Sequence, residues 1–456
     1  MAAHYTDKIS CVNNFLQLSL KIHKRHNRIM HKMSPISPSV KILIFSSCLL
    51  VMLSFGFRSS FGLYVKPISE FHGWGRDIIA TALAIQNLSW GIVSVFAGGL
   101  ADKYGNLKII FTAIFLYSIG IFWMAFASDS STLSASAGIL VGAGVAGTSF
   151  GIVIPALMRA VPDDRRQWVA GVGTAAGSMG QFIVVPFSQS LIDAFGWFSS
   201  LQILSAIALL MVVLALPLAP YSGANEVLDK EEDQTVYQAL KEAFSHRHYV
   251  LLVLGFFVCG FHLAFITVHM PAYLTDLGFS AKTAAMCLAI IGVSNMVGSY
   301  MSGIWSAHFP KQDILAWIYL LRALVIAIFI VLPPSIYSVV FFSIGIGVLW
   351  LATVPPTSGM VAVMFGTRYM ALLYGVVFLS HQLGSFSGVF LGGYLYEQSE
   401  TFAIISSFCG QYLGFSSYGD ASRYDTIWLI NILLGVLAAV IHLPIKERAV
   451  GKFAKT

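Results

Sequence analysis

The sequence is poor in charge. Only 11% of its 456 residues are charged, against about 25% in an ordinary soluble domain, too few to cover the surface of a water-soluble protein of this length. Its 21 acidic residues avoid the middle of every long apolar run. Segments of about ten residues with alternating polarity are missing, which excludes a membrane β-barrel. The five cysteines, Cys11, Cys48, Cys259, Cys287 and Cys409, are odd in number and form no CxxC or metal-ligand spacing, so neither a disulfide framework nor a zinc site is expected. No GxxxxGK[ST] phosphate loop occurs, which excludes an ATP-driven pump. No nucleophile or metal constellation marks an enzyme, and no cofactor is expected.

What the chain does have is hydrophobic residues, 57% of the total, gathered in runs of about 20 that can each cross a bilayer as a helix. Helices satisfy their own backbone groups in lipid, so a helical bundle is the expected fold. Twelve spans are predicted, at roughly 41–65, 78–100, 108–127, 133–158, 169–191, 198–219, 249–274, 282–304, 313–332, 337–364, 371–396 and 425–444. The organisation that follows is a basic tail (1–40), a six-helix bundle (41–219), a polar linker (220–248), a second six-helix bundle (249–444) and a short tail (445–456). Residues 397–424 read as a Ser/Gly-rich loop.

The formal charge of +6 sits where topology needs it, so nucleic acid is not an expected partner. Lys24, Arg25, Lys41, Lys103, Lys108, Arg165, Arg166, Lys241, Arg247, Lys311, Arg368, Lys446 and Arg448 fall on one side of the spans, and Lys66, Arg76, Lys282 and Arg423 on the other. The richer side is expected to be cytoplasmic, with both termini there. The first tail also carries His4, His23, His26 and His31. It reads as a solvated or membrane-surface segment, metal binding being the looser alternative, and its apolar stretch is too short for a signal peptide.

The chain contains a repeat. Gly56-Phe57-Arg58-Ser59-Ser60-Phe61, followed by Pro67, recurs 204 residues later as Gly260-Phe261-His262-Leu263-Ala264-Phe265, followed by Pro271. Gly171 and Gly180 recur as Gly375 and Gly384 at the same offset, and Leu83-Ala84-Ile85 recurs at 205 as Leu288-Ala289-Ile290. A duplicated six-helix unit follows, and such carriers bind substrate between their halves near mid-membrane.

Between spans 2 and 3 lies Gly98-Gly99-Leu100-Ala101-Asp102-Lys103-Tyr104-Gly105-Asn106-Leu107-Lys108. This stretch resembles the signature of the major facilitator superfamily, an all-α membrane fold of twelve helices in two pseudo-symmetric six-helix bundles. The resemblance implies a cytoplasmic gate in which Gly98 permits close helix packing and Asp102 faces the positive N-terminus of span 11, with Gly105 and Lys108 completing the motif. Three further stretches resemble the monocarboxylate transporter and oxalate/formate exchanger branch: Phe61–Pro67 running into Gly73-Trp74-Gly75-Arg76, the Gly-Phe-His of span 7, and Phe378-Leu379-Ser380-His381-Gln382-Leu383-Gly384. Secondary transport of a small organic anion, exchanging or linked to protons, is the implied function. The expected location is the cell membrane, as a multi-pass protein of a bacterial inner membrane.

The ionisable groups inside the spans are Arg58, His262, His269, Arg322, His381 and His442, all cationic or able to become so. Charge in the bilayer centre is costly. With no protein anion to pair with, the expected counter-charge is a transported anion, which Arg binds with a planar fork. Arg58 is the first candidate, at a place where the branch carries a lysine; the alternative is a cation that snorkels or bonds backbone carbonyls. His381 falls near mid-membrane in span 11 and is a candidate for both anion binding and proton coupling, with Gln382 beside it; the alternative is a neutral interhelical hydrogen bonder. His262, the repeat mate of Arg58, is expected in the same cavity, with His269 two turns further. Span 9 is peripheral in such folds, which favours a structural Arg322. The branch carries an Asp and an Arg in span 8, where this chain has Asn295 and Ser299. The usual carboxylate clamp is therefore absent, Asn295 stays a candidate contact, and larger polycarboxylates such as metal-chelating siderophores come into range. Two rivals remain: a drug or metabolite exporter, against which Gly177-Ser178-Met179-Gly180-Gln181 lacks the expected Pro, and a non-transporting sensor, against which no segment is long enough for a signalling domain. No obligate protein partner is evident.

The loop charges make a direct prediction. A reporter fused after Thr456 is expected to behave as cytoplasmic, and an external reading would break the even span count.

Overall fold

The computed structural model describes residues 36–221, 236–365 and 370–449. The histidines of the first tail, the linker acids Glu226, Asp229, Glu231, Glu232 and Asp233, Arg368 and the end of the last tail lie outside them. Ten helices are long and apolar enough to cross a membrane. The longest, Asp163–Ala215, turns at Gly196 (φ 77°), where a side chain would be strained, and so supplies spans 5 and 6. Two shorter helices, Ile336–Val348 and Val354–Phe365, together make span 10. Twelve spans result among the described residues.

The structure corrects several sequence boundaries. Span 1 (Pro38–Ser60) is capped by the Ser37 hydroxyl on the Val40 amide and continues through a 3-10 turn, Phe61–Tyr64, into Val65–His72. Span 4 breaks at Ser149, which is extended between Val141–Thr148 and Phe150–Arg159. Span 10 breaks between residues 348 and 354, just before the Pro355-Pro356 pair. The polar linker contains a helix, Val236–Ser245, that buries Ala239 and Ala243. The loop expected over 397–424 contains another, Ala403–Leu413, ended by a left-handed Gly414.

The internal repeat is visible in the packing. In the first half, spans 1 and 5 meet backbone to backbone: a Cβ on Gly180 would lie 3.0 Å from the Gly56 nitrogen. In the second, spans 7 (Arg247–Asp276) and 11 (Met370–Glu397) meet the same way: a Cβ on Gly384 would lie 3.1 Å from the Phe261 nitrogen. In both halves a side-chain hydrogen bond ties the first helix to the break in the fourth. Ser54 bonds Thr148 at 2.7 Å and Cys259 bonds Thr353 at 3.2 Å, and the two pairs are related by 205 residues at both positions. Small residues at such contacts let membrane helices approach closely.

The halves touch along spans 2 (Arg76–Tyr104) and 11, and along spans 5 and 8 (Ala281–Ser306). A Cβ on Gly91 would lie 2.7 Å from Gln382 Cβ, one on Gly393 2.9 Å from Asp77 Cα, and one on Gly292 3.0 Å from the Ser178 oxygen. Nearer the end from which span 1 starts, the proximal end, Gly98, Gly171, Gly303 and Gly375 have nothing among the described residues within 4 Å of the corresponding position. The expected close packing at Gly98 is therefore not present. The same four helices that are in contact at mid-height make no such close contact at these proximal glycines among the described residues.

These contacts rank the glycines. Gly180→Val and Gly384→Val are expected to lower the unfolding midpoint in detergent, since overpacking costs about 1–3 kcal/mol. Gly171→Val and Gly375→Val are expected to leave it nearly unchanged. Equal effects in the two sets would contradict the packing described.

Candidate functional site

Arg58 lies deep in span 1 and is only partly covered. One guanidinium nitrogen donates to Asn87 Oδ1 at 2.6 Å, and the group sits 4.8 Å from the Trp90 ring centroid. Asn87 and Trp90 share a face of span 2, three residues apart. Asn87 is fixed in turn, its amide nitrogen donating to the Leu83 carbonyl at 2.8 Å. Arg58 Nε has no protein partner, and among the described residues no carboxylate pairs with this side chain.

Rings continue from Arg58 into the second half. Phe55 stacks on Phe150 at 4.2 Å and meets the edge of Trp90 at 5.7 Å. Trp90 meets Phe378 of span 11 at 5.4 Å, and Phe378 stacks on His381 at 5.8 Å. His381 is buried, with Phe256 on its other side at 5.1 Å and Nδ1 without a protein partner. Arg58 and His381 thus flank one stretch of aromatic wall shared by the two halves.

The other candidates are placed elsewhere. His262, expected beside Arg58, packs between spans 7 and 12 (Asp425–His442), with Nε2 against the Asn431 carbonyl at 2.9 Å and the ring against Gly435. His269 lies between spans 7 and 11, with Nε2 at 2.9 Å from the Val389 carbonyl and Nδ1 at 3.5 Å from the Tyr424 hydroxyl. Both rings bridge helices instead of facing Arg58. Gln382 is fully buried against Gly91, with both amide atoms unpartnered.

Asn295 and Arg322 serve the break in span 10. Asn295 Oδ1 accepts from the Leu351 amide and the Ser299 hydroxyl, each at 2.9 Å, while its Nδ2 donates to Ser178 of span 5 at 2.9 Å. Its hydrogen bonds are used within the fold, so it is no free substrate contact here. Arg322, in span 9 (Lys311–Val331), is fully buried and donates to the Leu349 carbonyl through Nε (3.1 Å) and Nη2 (2.6 Å) and to the Trp350 carbonyl. Ser302 donates to the Ala352 carbonyl. A cation at the carbonyl end of a helix is favourable, and the break leaves carbonyls that lipid cannot satisfy. The Pro355-Pro356 pair was the sequence signal for this break. Asn87 and the aromatic wall had a weaker signal, the shared face of Asn87 and Trp90.

The distal end is closed by charge. Asp276, at the end of span 7, pairs with Arg76 of span 2 through both oxygens, the second bond being 2.9 Å, and with Lys66 at 3.3 Å. Arg76 also stacks over Tyr396, 4.3 Å from the ring centroid, and donates to the Tyr424 hydroxyl at 3.3 Å. Of the signature motif, Gly105 (φ 88°) makes the turn between spans 2 and 3, and Lys108 is exposed. The Asp102 side chain lies outside the described residues. Among the described residues no cluster of His, Cys, Asp or Glu is placed to hold a metal.

The chain matches a family model described as Major Facilitator Superfamily over residues 47–389. It is 23% identical over 390 residues to an uncharacterized MFS-type transporter, YcxA, of Bacillus subtilis, covering 84% of this chain and 94% of that one. It is 25% identical over 371 residues to monocarboxylate transporter 13 of Bos taurus, covering 79% and 84%. Among solved structures it resembles a bacterial homologue of the human lysosomal transporter Spinster in an inward-facing, unoccupied conformation, with a TM-score of 0.68, 16% identity, and coverage of 90% and 97%. That likeness concerns the fold.

The two interior guanidiniums make opposite predictions. Arg322→Met is expected to lower stability in detergent, because unpaired buried carbonyls cost about 1–3 kcal/mol. Arg58→Met is expected to leave stability unchanged or raise it, since it removes a cation without a counter-charge. Comparable losses in both would show that Arg58 is structural too.

Proposed function

The chain belongs to the major facilitator superfamily, and on that premise we propose that it is a secondary carrier that moves a small organic anion across the cell membrane by alternating access. It is a multi-pass membrane transporter. The observation that carries the substrate class is Arg58: a partly exposed side chain, deep in the membrane, whose guanidinium finds among the described residues a neutral amide as its hydrogen-bond partner and no carboxylate. A carboxylate there gains charge-assisted hydrogen bonds and relieves an uncompensated cation. The monocarboxylate-transporter relative supports the same chemistry.

His381 is the coupling group in this reading. It is buried at the end of the aromatic wall with Nδ1 unpartnered and the Cys259 thiol beside the ring, and among the described residues no carboxylate faces it. A proton taken there accompanies the anion, because each charge offsets the other's desolvation. His262 and His269, bonded between helices, are set aside for this role. The proximal, basic side is the cytoplasm in this reading, so the ends without close glycine contacts open inward.

Uptake of labelled carboxylates into proteoliposomes tests it. Arg58→Ala is expected to abolish uptake while the protein still inserts, and Arg58→Lys to retain part of it without the two-pronged geometry. His381→Gln is expected to flatten the pH dependence and shrink proton-driven accumulation, leaving anion exchange. Normal uptake by Arg58→Ala removes Arg58 from the site.

A further inference from the structure

Arg58 marks where the aqueous cavity reaches. An arginine side chain that is partly exposed this deep in a membrane protein faces water, because lipid would not tolerate it. The exposed part of the Arg58 side chain is therefore expected to border the space between the halves and not the bilayer. Phe55, Phe150 and Phe378 are each partly exposed and join Trp90 in continuous ring contacts of 4.2 to 5.7 Å. The four rings come from spans 1, 2, 4 and 11, so both halves contribute. Phe150 is aimed there by the break in span 4, as the first residue after Ser149. Packing alone does not account for aromatic faces bordering water next to a cation. Such surface is stabilised when an apolar body covers it.

The charge count narrows the ligand. Among the described residues one permanent cation borders this wall, and no acid does. A second carboxylate on a ligand would lie against ring faces, which carry the negative end of the aromatic quadrupole.

We propose that the carrier's substrate is an aromatic monocarboxylate, its single carboxylate on Arg58 and its ring covering the exposed parts of Phe55, Phe150 and Phe378. This rests on the organic-anion reading above. It sets the specificity apart from short hydroxy acids and from dicarboxylates, which offer too little apolar surface or one charge too many.

The test is calorimetric binding to the full-length protein in detergent, with counterflow in proteoliposomes. Benzoate, phenylpyruvate and indole-3-acetate are compared with lactate, malonate and benzyl alcohol. The aromatic acids are expected to bind at least about tenfold tighter than lactate or malonate, in line with the burial of one ring, and benzyl alcohol not measurably. Phe55→Leu and Phe378→Leu, which keep most of the volume, are expected to weaken the aromatic acids by about fivefold to tenfold and to change lactate by less than about twofold. Lactate or malonate binding as well as the aromatic acids, with the Leu variants altering all alike, overturns the aromatic assignment and leaves the carboxylate carrier standing. Benzyl alcohol binding like benzoate, or unchanged benzoate binding in Arg58→Ala, overturns the carboxylate reading itself.

Discussion

A guanidinium taken out of water must find its compensation inside the protein, and three arginines of this chain find it in different ways. Arg76, at the distal rim, has a carboxylate: Asp276 binds it through both oxygens across the gap between halves. Arg322, in the interior, has the carbonyl end of a broken helix, which supplies partial negative charge and accepts its hydrogen bonds. Arg58 has neither. Its amide partner and the face of Trp90 offset only part of the cost of holding a cation there. That imbalance is the reason to look for an anion at Arg58 and not at Arg322, although both are interior arginines without an acid nearby.

The internal duplication explains how such a difference arises on one scaffold. The contacts that hold each half together are repeated closely: Gly180 against Met52 and Gly56, Gly384 against Phe257 and Phe261, Ser54 on Thr148 and Cys259 on Thr353. The polar layer one turn away is not repeated. Position 58 is Arg while its mate is His262, and position 117 is Tyr while its mate, 205 residues on, is Arg322. The guanidinium has moved from the first helix of the unit to the third. Tyr117 donates to the Ser54 carbonyl at 2.8 Å, leaving Arg58 free to face the cavity. In the second half the span 9 cation takes up the break, and His262 turns toward span 12. Symmetry is therefore a sound guide to backbone packing here and a poor one to side-chain roles.

This is also where the sequence was informative and where it was not. Apolar runs and the absence of interior acids led directly to the spans, because the bilayer imposes length and polarity on each residue run. Arg58 stood out for the same reason. The breaks in spans 4 and 10 keep the run apolar, so a hydropathy reading passes over them; Pro355-Pro356 was the one local sign in span 10. The helix Ala403–Leu413 was hidden by its setting, a short uncharged segment between Ser- and Gly-rich stretches. Asn295 aligned with a family carboxylate position, yet its role is decided by the Leu351 amide that the break exposes, a partner that no spacing rule reveals.

Gly98 shows why a motif can be legible while its contact is absent. The signature concerns the proximal ends of the helices, and those are the ends without such contact: Gly98 and Gly375 on spans 2 and 11, Gly171 and Gly303 on spans 5 and 8 are all open among the described residues. The distal ends of the same helices are held by backbone-close glycines and by Asp276. Under alternating access the two sets exchange roles. Release of Arg76 and Lys66 from Asp276 would break a bridge whose Arg76 and Asp276 side chains are buried, so it requires the rim to open and water to hydrate the freed charges. Closing proximally would bring the open glycines against their facing helices, where the lack of side chains lets the backbones approach. A ligand of the kind proposed, touching Phe150 in one half and Phe378 in the other, would contact both bodies at once, which would let its binding shift the balance between them.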